Sequence, residues 1–452
     1  MAWRDALEVL MVPGAAWADL FREETTTTVI ALEAGRIDRA VTGRESGVGL
    51  RIVAGGRTCH AHTNDPDPGA VMRLASGLAS EAAGGKDTPL RIDTGRPNST
   101  GGGAPRAEMA ATVELIRLAD RLARGVDSRI RQVSVTVAER ESRVSIASPA
   151  GEVEGLRRDT VMAVSAIAGD GTVLERGYET AGGSTGASML DAGTAERLAL
   201  AAAERVVRSL GARPAPAGRM PVILSAAAGG TMVHEAIGHG LENDLAGQGF
   251  SVYTGRIGQQ VASPLVSVVD DPSLPGMRGS YDFDDEGVAS RRNLLVDRGV
   301  LRCFISDILS ADRWGGATTG NGRRQSYRHL PIPRMSNTMI LPGEDDPAAI
   351  LADTPTGLFV VRMGGGQVNT VNGDFVFEVS EGYLIDRGTI GAPVRGALLM
   401  GNGPEVLRSI DRVGSDLGWG IGTCGKDGQG VPVADAQPTL RIPELTVGGR
   451  VQ

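Results

Sequence analysis

The chain has 452 residues, a net charge of −8 at pH 7, 41% apolar residues, 64 glycines and three cysteines. Its length exceeds what one hydrophobic core usually covers, and the acidic balance argues against a nucleic-acid partner. Scattered cysteines make no disulfide framework, and no stretch approaches the ~20 apolar residues of a membrane span, so a cytoplasmic protein is expected.

Residues 2–10 read as a short helix, whose Asp5 and Glu8 interrupt the apolar core that a secretory signal requires. A second helix is expected over 15–23. An antiparallel meander follows, with strands at 25–32, 36–42, 49–53 and 57–63, punctuated by Gly35, Gly43, Gly47 and the Gly55-Gly56 pair. Residues 72–83 fit a helix, and 96–105 a loop rich in Pro, Gly and Ser. The plan then repeats. An amphipathic helix over 107–124 stops at Gly125, strands follow at 130–138, 143–146, 160–168 and 173–179, and a helix over 195–210 is N-capped by Thr194. Four strands with flanking helices thus occur twice. Cys59, His60 and His62 lie together on one of these strands; with no third ligand beside the two histidines, they read as ordinary surface residues.

Three prolines and two glycines in 211–221 mark the domain boundary. The expected fold class is α+β with two domains. Residues 1–215 form antiparallel strands with flanking helices, and 216–452 form a strand-rich domain with one motif-bearing helix.

That motif is TMVHEAIGHGLEND, 231–244. It places His234 beside Glu235 and a second histidine, His239, five positions after the first. Two imidazoles and a carboxylate are what a zinc hydrolase needs: two ligands and a base. In H-E-x-x-H the histidines are four apart and about 40° out of register on a helix; five apart they diverge by about 140°. One ion is reached only if the helix widens into a π-bulge or unwinds at Gly238. A surface helix carrying two unrelated histidines is the competing reading.

Beyond the motif, strands are expected at 265–270, 291–297, 300–306, 358–363 and 394–400, with a hairpin of 375–379 and 383–386. The third ligand is open among Glu242, Asp244, the acids of 284–286 and the cysteines. Cys303 alternates with Leu301 and Ile305 and reads as core. Cys424 lies in a glycine-rich tail expected to be a loop with no apolar neighbours, which gives it a modest lead over Glu242.

Several stretches then carry a family resemblance: HEAIGHGLEND at 234–244, VVDDP at 268–272, DDEGV at 284–288 and GNGRRQSYRHLPIPRMSNT at 320–338. GGGQV at 364–368, GDFVFEVSEGYLI at 373–385 and CGKDGQGVPVADAQPTL at 424–440 continue it. In these the chain resembles the TldD branch of the TldD/PmbA metallopeptidases, once described as modulators of DNA gyrase. The resemblance implies zinc (Zn2+) held by His234, His239 and Cys424, with Glu235 as general base toward a zinc-activated water. It also implies unfolded or extended peptides as substrates, a role in peptide maturation, and a dimer formed with a TldE/PmbA-like subunit or with itself. The alternative is a non-catalytic regulatory module with a structural zinc.

Two further stretches have paired readings. The arginines of 323–334 either pair with acidic loops such as 282–286, which is favoured, or place Tyr327 or His329 against an oxyanion. Gly364–Gly366 either forms a bulge or admits an extended peptide strand.

Overall fold

The computed structural model describes residues 2–83 and 109–449; the loop expected at 96–105 lies outside them. Six strands form one continuous sheet in the order β3-β2-β1-β4-β5-β6. They are β1 (Ala15–Glu33), β2 (Arg36–Ala54), β3 (Arg57–Thr63), β4 (Ile130–Ser148), β5 (Gly151–Gly169) and β6 (Leu174–Gly183). Helices α1 (Ala2–Leu10) and α2 (Pro68–Ala82) flank the first meander, and α3 (Met109–Gly125) and α4 (Ala192–Leu210) the second. The repeat is therefore one of three strands, not four, because 36–42 and 49–53 merge into β2 and 130–138 and 143–146 merge into β4.

The helix expected at 15–23 is the start of β1. Its alanines favour a helix locally, but β1 is a central strand paired with β2 on one side and β4 on the other, and such pairing overrides propensity. Both of its faces are covered. Ala18 and Leu20 pack in the cluster of α1 and α2, whereas Trp17 and Phe21 meet Val288, Ile308, Phe283 and Tyr327 of the C-terminal half. Burial on both sides removes the alternation by which a strand is recognised. Gly43 and Gly47 do not end β2. A Cβ at Gly47 would collide with the Tyr327 ring, so this glycine admits a neighbouring segment rather than making a turn. The N-cap of α4 is Asp191, which accepts from the Thr194 backbone N–H at 2.7 Å, rather than Thr194 itself.

The C-terminal half builds two larger sheets. One contains Gly218–Leu224, Thr356–Val368, Asp374–Asp386, Thr389–Arg395, Ala397–Asn402 and Leu440–Gly449. The hairpin expected within 375–386 is one strand, and the run 394–400 is divided by Gly396 at φ 68°. Gly364–Gly366 lies inside Thr356–Val368, where the pairing register shifts between Met363 and Gly366. The second sheet contains Asn293–Asp297, Val268–Asp270, Asn337–Ile340, Gln429–Gln437 and, at its outer edge, Gly418–Lys426. The expected strand 300–306 is reduced to Val300–Leu301. Cys303 beyond it is partly buried against the main core, and its thiol donates to the Leu294 carbonyl at 3.4 Å.

Buried charge clamps the two halves together. Asp19 of β1 lies between Arg51 of β2 at 2.6 Å and Arg324 at 3.2 Å, and Arg51 also reaches Glu286 at 2.8 Å. The side chains are essentially inaccessible, so removing any one partner would strand a charge in the interior.

Candidate metal centre

The motif is not a straight helix. Thr231–Val233 makes an α-turn, His234–Gly238 a π turn and His239–Leu241 a 3₁₀ turn. The His239 N–H bonds to the His234 carbonyl, five residues back, so residues five apart stack on one face. Local sequence supports this geometry. A Cβ on Gly238 would collide with the Met335 sulfur, and the Tyr253 hydroxyl donates to the Ala236 carbonyl at 3.0 Å, inside the widened turn.

The two imidazoles consequently meet edge to face, with centroids 5.0 Å apart and planes at 89°. Cys424, 185 residues after His239, brings its sulfur to 3.6 Å from His239 Nε2. The ligand atoms of His234, His239 and Cys424 lie within 4.8 Å of one another, and among the described residues this is the one such group that can hold a metal ion.

Carboxylates orient both rings. His234 Nδ1 lies 2.9 Å from Asp435 Oδ1, and His239 Nδ1 lies 2.9 Å from Glu242 Oε2. With carboxylates accepting from Nδ1, Nε2 is the nitrogen of each ring that turns toward Cys424 and would bind a metal in place of a proton. Glu242, weighed above as a third ligand, is thus a support behind His239. Lys426 lies 3.1 Å from Glu242 and 2.7 Å from Asp244. Burial alone would push the Glu242 carboxyl up, but Lys426 and His239 bring it down to about 2. Glu242 therefore stays an ionised acceptor at neutral pH.

Cys424 is not in a bare loop. It lies on the edge strand Gly418–Lys426 and is only 3% exposed, within the main apolar core. The hairpin turn after it is Asp427-Gly428, with φ of 49° and 71°, a turn that matches the twist of paired strands. Burial would raise the thiol, yet hydrogen bonds from His234 and His239 outweigh it and bring Cys424 down to about 5. A thiolate, the form that binds metals, is thus available at neutral pH. Glu235 is half-buried, and burial raises its carboxyl above the usual range.

The arginine stretch supports this hairpin. Arg334, fully buried, donates to the carbonyls of Cys424 and Gln429, and Arg323 donates to those of Met335 and Pro432 at 2.6 and 2.8 Å. Arg324 takes the Asp285 carbonyl at 2.9 Å and its backbone N–H the Asp285 carboxylate at 2.7 Å. Tyr327 and His329 do not join the triad: the Tyr327 hydroxyl faces Glu45 at 3.3 Å, and His329 bonds to Ser326 at 2.9 Å. His60 and His62 face each other on β3 with centroids 5.8 Å apart, and burial together with Arg324 holds His60 down near 4. Two site residues escaped the sequence reading. Lys426 stands two positions after Cys424 on one strand and so shares its face, a signal that was present. Asp435 reaches the site from the neighbouring strand, opposite Gly420, and nothing in its own surroundings marks it.

Family descriptions match the chain in three consecutive parts. They are PmbA/TldA metallopeptidase domain 1 over 18–83, the central domain over 105–210 and the C-terminal domain over 217–449. These descriptions divide the chain into three parts, of which the first two share one continuous sheet. A metalloprotease TldD homolog of Haemophilus influenzae is 38% identical over 447 residues, covering 96% of this chain and 93% of its own. A metalloprotease of Methanothermobacter thermautotrophicus is 32% identical, covering 96% and 95%. A zinc metalloprotease TldD homolog of Saccharolobus solfataricus is 33% identical over 249 residues, 55% of this chain and 56% of its own. Among solved structures, a Thermotoga maritima protein described as a modulator of a DNA gyrase superposes with TM-score 0.80 at 22% identity over 96% of each chain. TldE from Thermococcus kodakarensis superposes with TM-score 0.77 at 18% identity over 99% of each. Both share the fold.

Proposed function

The chain belongs to the PmbA/TldD metallopeptidase family, and from that premise we propose that it is a zinc-dependent peptidase acting on unfolded or extended peptides. The observation that carries this reading is the convergence of His234, His239 and Cys424 on a π turn that holds Glu235 next to the first histidine. Two imidazoles and a thiolate are a donor set suited to zinc. When bound, zinc supplies a Lewis acid that polarises a carbonyl and acidifies water.

The chain's own groups do the rest. Glu235 is the general base, and its raised carboxyl is suited to taking a proton and returning it to the leaving amine. Asp435 and Glu242 hold the imidazoles in register, and Arg334 fixes the backbone of Cys424. The strand carrying Cys424 is the last of its sheet, and Thr423 and Gly425 on either side of the cysteine are exposed. An extended peptide added along that edge would be recognised through its backbone, with little regard to sequence, and its carbonyls would pass beside the thiolate. In this reading 216–452 carry the chemistry and 1–215 form the scaffold facing it. The protein works in the cytoplasm as a dimer, with a TldE-like chain or a second copy; the shared fold with TldE supports such a pairing. Among the described residues no helix is long and apolar enough to cross a membrane.

The test is Glu235→Gln. Zinc content should stay at the wild-type level while cleavage of an unfolded peptide falls about 10²–10⁴-fold. Undiminished cleavage by the zinc-loaded variant would overturn the role of Glu235. A wild-type protein that binds zinc and cuts no peptide would favour the regulatory alternative.

A further inference from the structure

Between the N-terminal sheet and the hairpin that bears Cys424 lies a cleft of about 70 Å³. Six arginines line it: Arg140, Arg157, Arg158, Arg278, Arg323 and Arg324, against three carboxylates, Glu23, Asp159 and Asp285. Arg140 pairs with Glu23 at 2.6 Å, Arg278 with Asp159 at 2.7 Å, and Arg157 with Asp285. Arg158 uses Glu141 at 3.0 Å. Two guanidinium groups remain short of negative charge. Among the described residues Arg323 has carbonyl acceptors but no carboxylate within 4.0 Å. Arg324 shares the single charge of Asp19 with Arg51, and among the described residues its buried Nε and Nη1 have no hydrogen-bond partner. Burial holds both Arg323 and Arg324 below the usual guanidinium range, the condition that an incoming anion would relieve.

The cleft adjoins the metal centre. Its wall includes Val431, the cross-strand partner of Cys424, and Pro432, the partner of Thr423. Arg278 reaches the Gly422 carbonyl and lies 3.2 Å from the Thr423 hydroxyl. Neighbouring residues on a strand point to opposite faces, so Cys424 and Thr423 address different sides of the hairpin. A peptide lying along the outer edge would likewise alternate. Side chains on one side would meet the triad, and those on the other would point toward Arg278 and the cleft behind it.

We propose that this cleft is a carboxylate-binding subsite, taking an acidic side chain or the C-terminal carboxylate of the bound peptide at a fixed offset from the bond that is cut. The proposal rests on the peptidase reading and adds a substrate class to it: acidic extended peptides are preferred over neutral or basic ones. Guanidinium groups match carboxylates geometrically, which makes arginine the natural reader of such a group.

The experiment uses ten-residue unstructured peptides, identical except that Glu, Gln or Lys is walked through each position, each made with a free and an amidated C-terminus. Cleavage sites and kcat/KM are read by mass spectrometry on the zinc-loaded protein. At one offset Glu should exceed Gln by at least tenfold and Lys should fall below Gln. If the free C-terminus alone produces the gain, the carboxylate read is the terminal one. In Arg323→Gln/Arg324→Gln the Glu-to-Gln ratio should fall toward one, whereas Arg323→Lys/Arg324→Lys, which keeps both charges, should retain a preference. Equal rates for Glu, Gln and Lys at every offset would overturn the proposal and leave the peptidase reading standing. If wild type cuts no peptide, the peptidase reading fails. Anisotropy with labelled Glu and Gln peptides then decides the subsite: tighter binding of the acidic peptide, weakened in Arg323→Gln/Arg324→Gln, supports it, and equal affinities overturn it.

Discussion

Along β4 and β5 buried and accessible side chains alternate, and α4 above them buries Leu198, Ala199, Ala202 and Val206 on one stripe. Around the metal triad the order is different. A helix widens into a π turn, a thiolate is buried in apolar company, and carboxylates stand behind imidazoles. The first region is held by apolar burial spread over many residues, so each contributes and none is unique. The second depends on a few polar contacts, each with one geometry. Substitutions should therefore separate: those in the sheet and its helices should lower stability and spare the metal, and those at the triad should do the reverse.

The largest effect is expected for Cys424→Ser and His239→Ala. Each removes one of the three proposed ligands, so bound zinc should fall at least tenfold by elemental analysis and peptide cleavage should be lost, with the far-ultraviolet circular dichroism unchanged. Next, Leu198→Ala opens a cavity under α4, where Leu198 is 1% exposed. It should cost about 2–5 kcal/mol, read as a lower denaturation midpoint, with zinc affinity as in wild type. A loss of zinc affinity there would break the separation. Third, Asp435→Asn weakens the acceptor that orients His234, and chelator competition should show zinc binding about 10–100-fold weaker. Smallest of all, Arg117→Ala on the exposed face of α3 removes only the surface pair with Glu114. Its effect on the midpoint should correspond to less than about 1 kcal/mol, and zinc binding should not change.

What was legible in the sequence follows the same division. The amphipathic helices, most strand positions in the second meander and the two histidines flanking Glu235 could all be read from periodicity and spacing. Residues 15–23 could not, because a central strand covered on both faces shows no alternation and its alanines point to a helix. Nor could the role of Gly47 in β2, which is set by the ring of Tyr327, about 280 positions away in the chain. The five-residue spacing did state its own condition, a widened turn or a break at Gly238, and the first is what the structure has. Residue type gave Cys424 a modest lead over Glu242, and the family resemblance pointed to it as the third ligand; the expectation of a loop was wrong, because its flanking glycines belong to an edge strand. Asp435 and the support from Arg334 depend on cross-strand and loop contacts that no local pattern records.

The central claim is that a π turn and an edge-strand cysteine together make one zinc site. X-ray absorption at the zinc edge of the zinc-loaded protein tests it directly. Two nitrogen scatterers at about 2.0–2.1 Å and one sulfur at about 2.3 Å are predicted, with the sulfur shell absent in Cys424→Ser. A first shell without sulfur in the wild-type protein, or an unchanged sulfur shell in Cys424→Ser, would contradict it.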